Sequence, residues 1–204
     1  MEMPDDRLGP AAWVNAGLKA LAKSGFSALK ADTLANSLGV SRGSFYWHFA
    51  DVSAFHAAIL RRWREVALGN IIAEIEGAAD DRLEALICRA FAGGSGIERA
   101  VRAWATADPR ARAAVEAVDV ERIGYLRKLL IEAGIHPSVA GPRARIINWC
   151  YLGFALSSNK LDHDSFKHVI SDLSQLARLK VGQLPDDARA PRAPARTLRR
   201  QTRP

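Results

Sequence analysis

Residues 41–49 place cationic, hydroxyl and aromatic side chains at spacings that suit contact with duplex DNA. Arg42 carries a guanidinium that can donate two hydrogen bonds to the O6 and N7 atoms of guanine. Tyr46 and His48 can donate to phosphate oxygens, in contacts that fix register without reading sequence. Gly43 lets the backbone approach the DNA closely. The candidate DNA-binding residues are Lys30, Ser41, Arg42, Gly43, Ser44, Tyr46, Trp47 and His48.

The elements that hold these side chains are predicted to be two short helices joined by a tight turn. Leu34 and Leu38 lie four residues apart and can share a buried face, and Gly39 follows where a helix C-terminus favours a positive φ. Ser41 suits the N-cap of the second helix, because its hydroxyl can accept a backbone N–H. Phe45 can then face the core. The pattern indicates a helix-turn-helix that reads the major groove, although a helical hairpin with an ordinary aromatic core would give a similar sequence.

A wider set of features surrounds this pattern within residues 10–55. They are an opening helix over residues 11–24, Gly25-Phe26, Leu34-Ala35, Leu38-Gly39-Val40-Ser41, Gly43-Ser44-Phe45-Tyr46-Trp47-His48-Phe49 and Asp51 at the start of a fourth helix. Together they resemble the DNA-binding domain of TetR-family transcriptional repressors. The resemblance is strong over about a quarter of the chain. It implies an all-α fold, in which an N-terminal three-helix helix-turn-helix domain precedes a C-terminal helical ligand-binding and dimerisation domain.

Two positions depart from the family pattern. Lys30 stands near the start of the second helix, where relatives often carry a capping Ser or Thr, and it suits phosphate contact and plain solvent exposure equally well. Val52 stands where relatives often carry a lysine that touches the DNA backbone. One phosphate contact is therefore expected to be missing, which would make the salt dependence of binding shallower by about one unit of slope.

The formal net charge of +7 over 204 residues is concentrated in two places. Residues 10–50 carry four basic side chains against one acidic, and residues 184–204 carry six arginines against two aspartates. This distribution favours a nucleic-acid partner. Residues 183–204 are rich in Pro, Ala and Arg, which cannot form a core, so they are expected to be a disordered basic tail. Residues 1–9 are expected to be a flexible N-terminus.

The composition also indicates the cellular compartment in which the protein is expected. Hydrophobic residues make up 49% of the chain, enough for a core, but no apolar run is long enough for a membrane span. The N-terminal residues lack the apolar stretch of a secretory signal. Cys88 and Cys150 lie far apart in sequence, which suits a reducing compartment and inert thiols better than a disulfide scaffold or a redox sensor. We therefore expect a protein of the bacterial cytosol or nucleoid, with no membrane partner.

The chain beyond residue 50 has helical periodicity throughout and no internal repeat. One long helix is predicted over residues 51–76, with an apolar stripe of Phe55, Ile59, Trp63, Val66, Ile71 and Ile75. Further helices are predicted over residues 81–92, 97–106, 109–132 and 165–180, with two more opened by Pro137 and Pro142 and reaching about residue 158. The DNA-binding domain is placed at residues 10–54 and the effector-binding and dimerisation domain at residues 55–182.

The resemblance implies that the last two long helices pair with their copies in a second subunit. Reading a palindromic operator requires two copies of the recognition helix, which favours a homodimer. The alternative is that these apolar side chains all face the intramolecular core. The candidate interface residues are Trp149, Phe154, Phe166, Ile170 and Leu173.

The resemblance also implies a pocket for a small, largely apolar ligand below the DNA-binding domain. Large aromatic residues on the central helices would line it, with Arg102 and Asn148 supplying polar contacts. For any one aromatic residue, a place in an ordinary helical core is the alternative. The candidate pocket residues are Trp63, Phe91, Arg102, Trp104, Tyr125, Asn148, Trp149 and Tyr151.

These features predict a sequence-specific transcriptional regulator, a repressor that binds a palindromic operator as a homodimer and is released by a small molecule. The alternative is an architectural or weakly specific DNA-binding protein that needs no ligand. An enzyme is not expected, because the five histidines show no metal spacing and no nucleophile lies near a base. No cofactor or metal is expected either.

Overall fold

A computed structural model describes residues 8–77, 81–93, 96–158 and 161–180, and every regular element within them is helical. The all-α fold, with an N-terminal helix-turn-helix domain and a C-terminal helical domain, is thereby confirmed. The predictions of a flexible N-terminus and a disordered tail fall largely or wholly outside the described residues. The α-helices are α1 (Pro10–Ser24), α2 (Ala31–Leu38), α3 (Arg42–His48), α4 (Val52–Arg64), α5 (Asn70–Glu76), α6 (Arg82–Ala92), α7 (Gly96–Ala105), α8 (Pro109–Glu132), α9 (Pro137–Leu156) and α10 (His163–Arg178).

Two hydrophobic cores organise the helices. The first joins α1–α4 to α7 and the N-terminal half of α8, with Trp13, Phe55 and Trp63 fully buried at its centre. It therefore crosses the domain boundary that we placed between residues 54 and 55. The second core joins α5, α6, the C-terminal half of α8, α9 and α10. No helix in the described part of the chain is long and apolar enough to cross a bilayer.

The predicted long helix over residues 51–76 is present, but its middle is not a regular α-helix. A π-helical segment, Glu65–Gly69, connects α4 directly to α5. Because a π turn holds more residues than an α turn, it shifts the register of the side chains that follow. Val66, which we placed on the buried stripe, is 39% exposed, and Leu68 is buried instead.

The prediction of separate helices at Pro137 and Pro142 is wrong. One helix, α9, begins at Pro137 and continues through Pro142 to Leu156. A proline inside a helix removes one backbone hydrogen bond. At the start of α9, the side chain of His136 caps the helix by accepting from the N–H of Ser138. Extensive packing of α9 against α8 in the second core then holds the helix together.

Candidate DNA-binding surface and effector cavity

The recognition helix α3 divides its aromatic residues between the core and the surface. Phe45 is fully buried, and its ring contacts Trp13, Phe49 and Phe55 at centroid distances of 5.2–5.4 Å. On the opposite face, Trp47 is 86% exposed. A tryptophan this exposed gains little from the fold, so the outer face of α3 has the composition of a contact surface.

The turn before α3 has the geometry of a tight helix-turn-helix. Gly39 ends α2 with φ +68°, in the left-handed region where glycine avoids a Cβ clash. Ser41 lies at the N-cap of α3 with an extended backbone, as its type predicts, but its hydroxyl makes no capping hydrogen bond. A Cβ on Gly43 would meet only Ser41 Oγ, at 3.7 Å. Packing within the chain therefore does not require glycine at position 43.

Arg42 is held by two neighbours on the outer surface. Its Nε lies 3.2 Å from a carboxylate oxygen of Asp32 on α2, and its NH2 donates to Tyr46 Oη at 3.3 Å. Hydrogen bonding to Tyr46 and the charge of Asp32 both raise the pKa of Arg42 above its ordinary value. All three side chains are exposed, so these bonds orient the guanidinium and add little to stability.

The other predicted DNA-binding residues lie around the same helix pair. Lys30 is exposed at the N-cap of α2, while Ser44 and His48 are half-buried on α3. Val52, at the start of α4, is half-buried and packs against the first core. Its apolar character thus has a structural use, and this position offers no cation to a phosphate.

A cavity of about 60 Å³ lies between the π-helical segment and helices α5, α6, α8 and α9. Four of the eight predicted pocket residues line it: Phe91, Tyr125, Asn148 and Tyr151. The remaining wall is mainly aliphatic, and one cation, Arg122, reaches it. The other lining residues are Ala67, Leu68, Ile71, Ile72, Leu86, Ile87, Ala90, Leu126 and Ile147.

The other four predicted pocket residues do not line this cavity. Trp63 is fully buried in the first core, and Trp104 stacks on Phe26 while its Nε1 donates to an aspartate. Arg102 is tied into a cluster of charged side chains on α7 and α8. Trp149 projects from α9 and is 64% exposed. Aromatic side chains on these helices thus serve the core and the surface as well as the cavity.

A buried ionic cluster adjoins the cavity. Both oxygens of Glu98 accept from the guanidinium of Arg122, at 3.0 and 2.8 Å, and one also accepts from Arg102 Nε at 2.7 Å. Arg102 in turn donates to both oxygens of Asp119. Burial raises the pKa of Glu98, but the two guanidinium groups outweigh burial and hold the pKa below its ordinary value. Two arginines and two carboxylates give the cluster a formal charge of zero.

Arg122 is the functional candidate that sequence reasoning missed. Its NH2 also lies 3.4 Å from the carbonyl oxygen of Ala67, so it connects α8 to the π-helical segment. Its guanidinium lies over the Tyr151 ring, 4.9 Å from the centroid. The signal was a single cation on the apolar side of α8, four residues after Val118 and four before Leu126. A charge on a buried stripe needs a partner inside the protein.

Two tyrosines at the cavity have shifted pKa values. Burial and a hydrogen bond that Tyr125 Oη donates to Glu76 raise the pKa of Tyr125 to about 12. Burial, followed by the charge of Glu98, raises the pKa of Tyr151. Both phenols therefore remain neutral at physiological pH and can donate a hydrogen bond.

The predicted interface residues on α9 and α10 also divide between two faces. Phe154, Phe166 and Leu173 are half-buried and pack on the second core, and Ile170 is buried in it. Trp149 lies outside the core, within a set of exposed apolar side chains on the same two helices. We call this set the α9–α10 stripe: Ile146, Trp149, Leu156, Val169 and Leu176.

Comparison with known proteins finds a family match for the helix-turn-helix domain. Residues 14–54 match the family model for bacterial regulatory proteins of the tetR family. The helix-turn-helix domain of this chain is therefore similar to that of tetR-family transcriptional regulators. No curated protein sequence matches it.

Solved structures share the fold well beyond the matched domain. The fatty acid degradation regulator FadR from Bacillus halodurans superposes with a TM-score of 0.62 at 13% identity, covering 87% of this chain and 97% of FadR. A TetR-family regulator from Rhodococcus sp. gives 0.60 at 18% identity, covering 82% and 97%. The ketosteroid transcriptional regulator KstR2 of Mycobacterium tuberculosis gives 0.57 at 15% identity, covering 85% and 95%. At these identities, the likeness shows a shared fold.

Proposed function

We propose that the chain is a homodimeric repressor that binds a palindromic operator in the cytosol and is released by a small molecule. The observation that carries the proposal is the outer face of α3. It presents an oriented Arg42, Tyr46 and a highly exposed Trp47, while Phe45 anchors the helix from within. A guanidinium held at the start of a recognition helix suits bidentate contact with guanine.

The α9–α10 stripe supports the dimeric part of the proposal. Five apolar side chains, among them a tryptophan, share the outer surface of two adjacent helices. Helical spacing places the three on α9 on one face and the two on α10 on one face, and exposed apolar faces of this kind are typical of an association surface. A second copy is the partner that fits, because a two-fold axis would pair the same helices and present two recognition helices to one palindrome.

The path from cavity to recognition helix supports the release by a ligand. Ala67 and Leu68 of the π-helical segment form part of the cavity wall. The segment continues directly into α4, whose Phe55 contacts Phe45 of α3 with ring centroids 5.3 Å apart. A ligand that moves the segment would thus move the support of α3. The response would depend on how differently the ligand binds the two states.

Selection of bound sequences from a random duplex pool tests operator recognition, with purified protein at near-physiological salt. We expect a two-fold symmetric motif whose half-sites lie about one helical turn apart. Binding without any motif, lost as salt rises, would favour the architectural alternative. Absence of binding would refute the proposal.

The dimer is tested by a matched pair of substitutions at exposed apolar residues. Trp149→Lys places a charge in the α9–α10 stripe, whereas Val120→Lys places one at an exposed apolar residue of α8. We expect sedimentation equilibrium to show a dimer for the parent chain and for Val120→Lys, and a shift to monomer for Trp149→Lys. A parent chain that is monomeric at micromolar concentration would contradict the proposal.

A further inference from the structure

The cavity contains polar groups that the protein leaves without partners. Asn148 is only 3% exposed and lines the cavity, yet its side-chain amide makes no hydrogen bond to any described residue. Tyr151 lies three residues further along α9, on the same face, and within the described ranges its hydroxyl also has no hydrogen-bond partner. An amide that borders a cavity and bonds to no protein group is open to a hydrogen-bond partner inside that cavity.

The charge at the cavity is already neutralised from within. Arg122 is the one cation among the lining residues, and Glu98 occupies its guanidinium with two hydrogen bonds. An anionic ligand would have to displace Glu98 and leave that carboxylate buried without its partner. A cationic ligand would meet no unpaired carboxylate among the lining residues. The electrostatics therefore select against a charged ligand.

The remaining wall is apolar, formed by aliphatic side chains and by the faces of Phe91, Tyr125 and Tyr151. In its present volume of about 60 Å³, the cavity has room for on the order of four water molecules. The amide of Asn148 offers both a donor and an acceptor at one point of this wall. The walls would hold a compact hydrocarbon body, and the amide would hold a single polar group on it.

We propose that the effector of this chain is an uncharged, compact, largely apolar molecule with one hydroxyl-like group that hydrogen-bonds to Asn148. The effect of the ligand on DNA binding rests on the proposed function, but the binding of the ligand to the cavity does not. A hydroxyl both donates and accepts, so it matches the two halves of the amide. The hydroxyl of the ligand is then the hydrogen-bond partner that Asn148 lacks among the described residues.

Direct binding measurements test the chemistry without DNA. The probes are two sets matched in size: 1-butanol, 1-chlorobutane, butyrate and butylamine, and phenol, toluene, benzoate and benzylamine. Isothermal titration calorimetry of the full chain at neutral pH is expected to show the hydroxyl compound binding tightest in at least one set. The charged members should bind at least about tenfold more weakly. Equal or tighter binding of a charged member, or no binding by any member, would overturn the proposal.

Asn148→Leu tests the role of the amide. We expect it to reduce the preference of the hydroxyl compound over its apolar match by about tenfold and to leave the melting temperature unchanged or higher, because the lost amide had no partner. The control Asn70→Leu, at an exposed position outside the cavity, should leave the preference intact. A preference that survives Asn148→Leu would overturn the proposal, and so would a fall in melting temperature, which marks a structural amide.

The inference and the proposed function can fail separately. Operator binding is measured on the parent chain and on Asn148→Leu without any probe, and both should bind alike. Binding of the hydroxyl probe that depends on Asn148 but has no effect on operator affinity would retain the ligand class and refute ligand release. Operator binding in a chain that takes up no neutral probe would refute the ligand class alone.

Discussion

Replacing Glu98 by glutamine should destabilise the chain through the arginine left behind. Glu98 accepts three hydrogen bonds from Arg122 and Arg102, and Arg122 is nearly buried. Without Glu98, the nearest carboxylate to Arg122 is that of Asp119, at 3.7 Å. Removing one partner of a buried ion pair costs about 3–5 kcal/mol. The glutamine oxygen still accepts a hydrogen bond, so we expect the lower end, about 3 kcal/mol.

Thermal and urea unfolding, followed by circular dichroism at fixed protein concentration, measure this cost. For a chain of this length, about 2–4 °C accompany each kcal/mol, so the melting temperature should fall by about 6–12 °C. The control is Glu74→Gln, because Glu74 pairs with Arg89 at 2.9 Å on the exposed surface. That pair should contribute less than about 1 kcal/mol. Equal costs for the two substitutions would refute the reasoning.

The pH dependence gives an independent check on Glu98. Its folded-state pKa lies below the ordinary value of 4.5, so the unfolded chain takes up the proton first as pH falls. The stabilisation is therefore fully present above that ordinary value and is lost as pH falls through the folded-state pKa. The difference in unfolding free energy between the parent chain and Glu98→Gln should be constant near neutral pH and narrow below about pH 4. A difference that is unchanged in acid would point to a packing effect.

Two other predictions address the DNA-binding domain, and a third addresses His56 on α4. Gly39→Ala should lower the free energy of unfolding by about 1 kcal/mol, because φ is +68° there. Gly43→Ala should leave the free energy of unfolding unchanged but should weaken operator binding. Urea unfolding measures the stability and fluorescence anisotropy the binding, and equal stability costs would contradict the argument. Arg42→Ala should weaken operator binding by about 1–3 kcal/mol with unchanged stability, and a loss of stability instead would assign its bonds to the fold. Burial lowers the pKa of His56 in the folded chain below its unfolded-state value near 6.5. Stability that is present above that value should therefore be lost as pH falls through the folded-state pKa. His56→Gln should reduce this dependence of the unfolding free energy on pH in urea titrations, and a parent chain without the dependence would rule the effect out.

The helix boundaries could be predicted where the chain carries strong local signals. Pro109 and Glu132 bound α8 as expected, because proline suits the first turn of a helix and Gly134 follows its end with φ +83°. The turn at Gly39 was predictable for the same reason. Signals of this kind act through backbone geometry within a few residues, so they survive whatever tertiary packing follows.

The π-helical segment and the continuous α9 could not be predicted, because long-range packing determines both. Residues 65–69 contain no glycine or proline that would interrupt a regular helix before Gly69. Within this segment, the carbonyl of Ala67 faces Arg122, a residue more than fifty positions further along the chain. The passage of α9 through Pro142 likewise depends on its packing against α8. Periodicity over a short window contains no information about such partners.

The recognition helix was more predictable than the cavity. Its inner and outer faces follow from the helical spacing of Phe45 and Phe49, which the structure buries together. Which residues line the cavity depends on the direction in which each aromatic side chain points from a helix that has other helices on several sides. Trp104 and Trp149 are aromatic, as pocket residues were expected to be, but Trp104 stacks in the first core and Trp149 lies on the surface. Residue type alone does not distinguish these places.

The polar groups around the cavity are of two kinds, and the difference determines what each can do. Arg122 is fully engaged by Glu98 and by the carbonyl of Ala67, so it fixes the π-helical segment against α8. Asn148 makes no such bond within the described residues, so it is available to a ligand. A ligand that hydrogen-bonds to Asn148 enters a space that Arg122 also lines. Ligand volume would then compete with the Arg122–Ala67 contact, and weakening that contact is the structural route by which occupancy would reach α4 and the recognition helix.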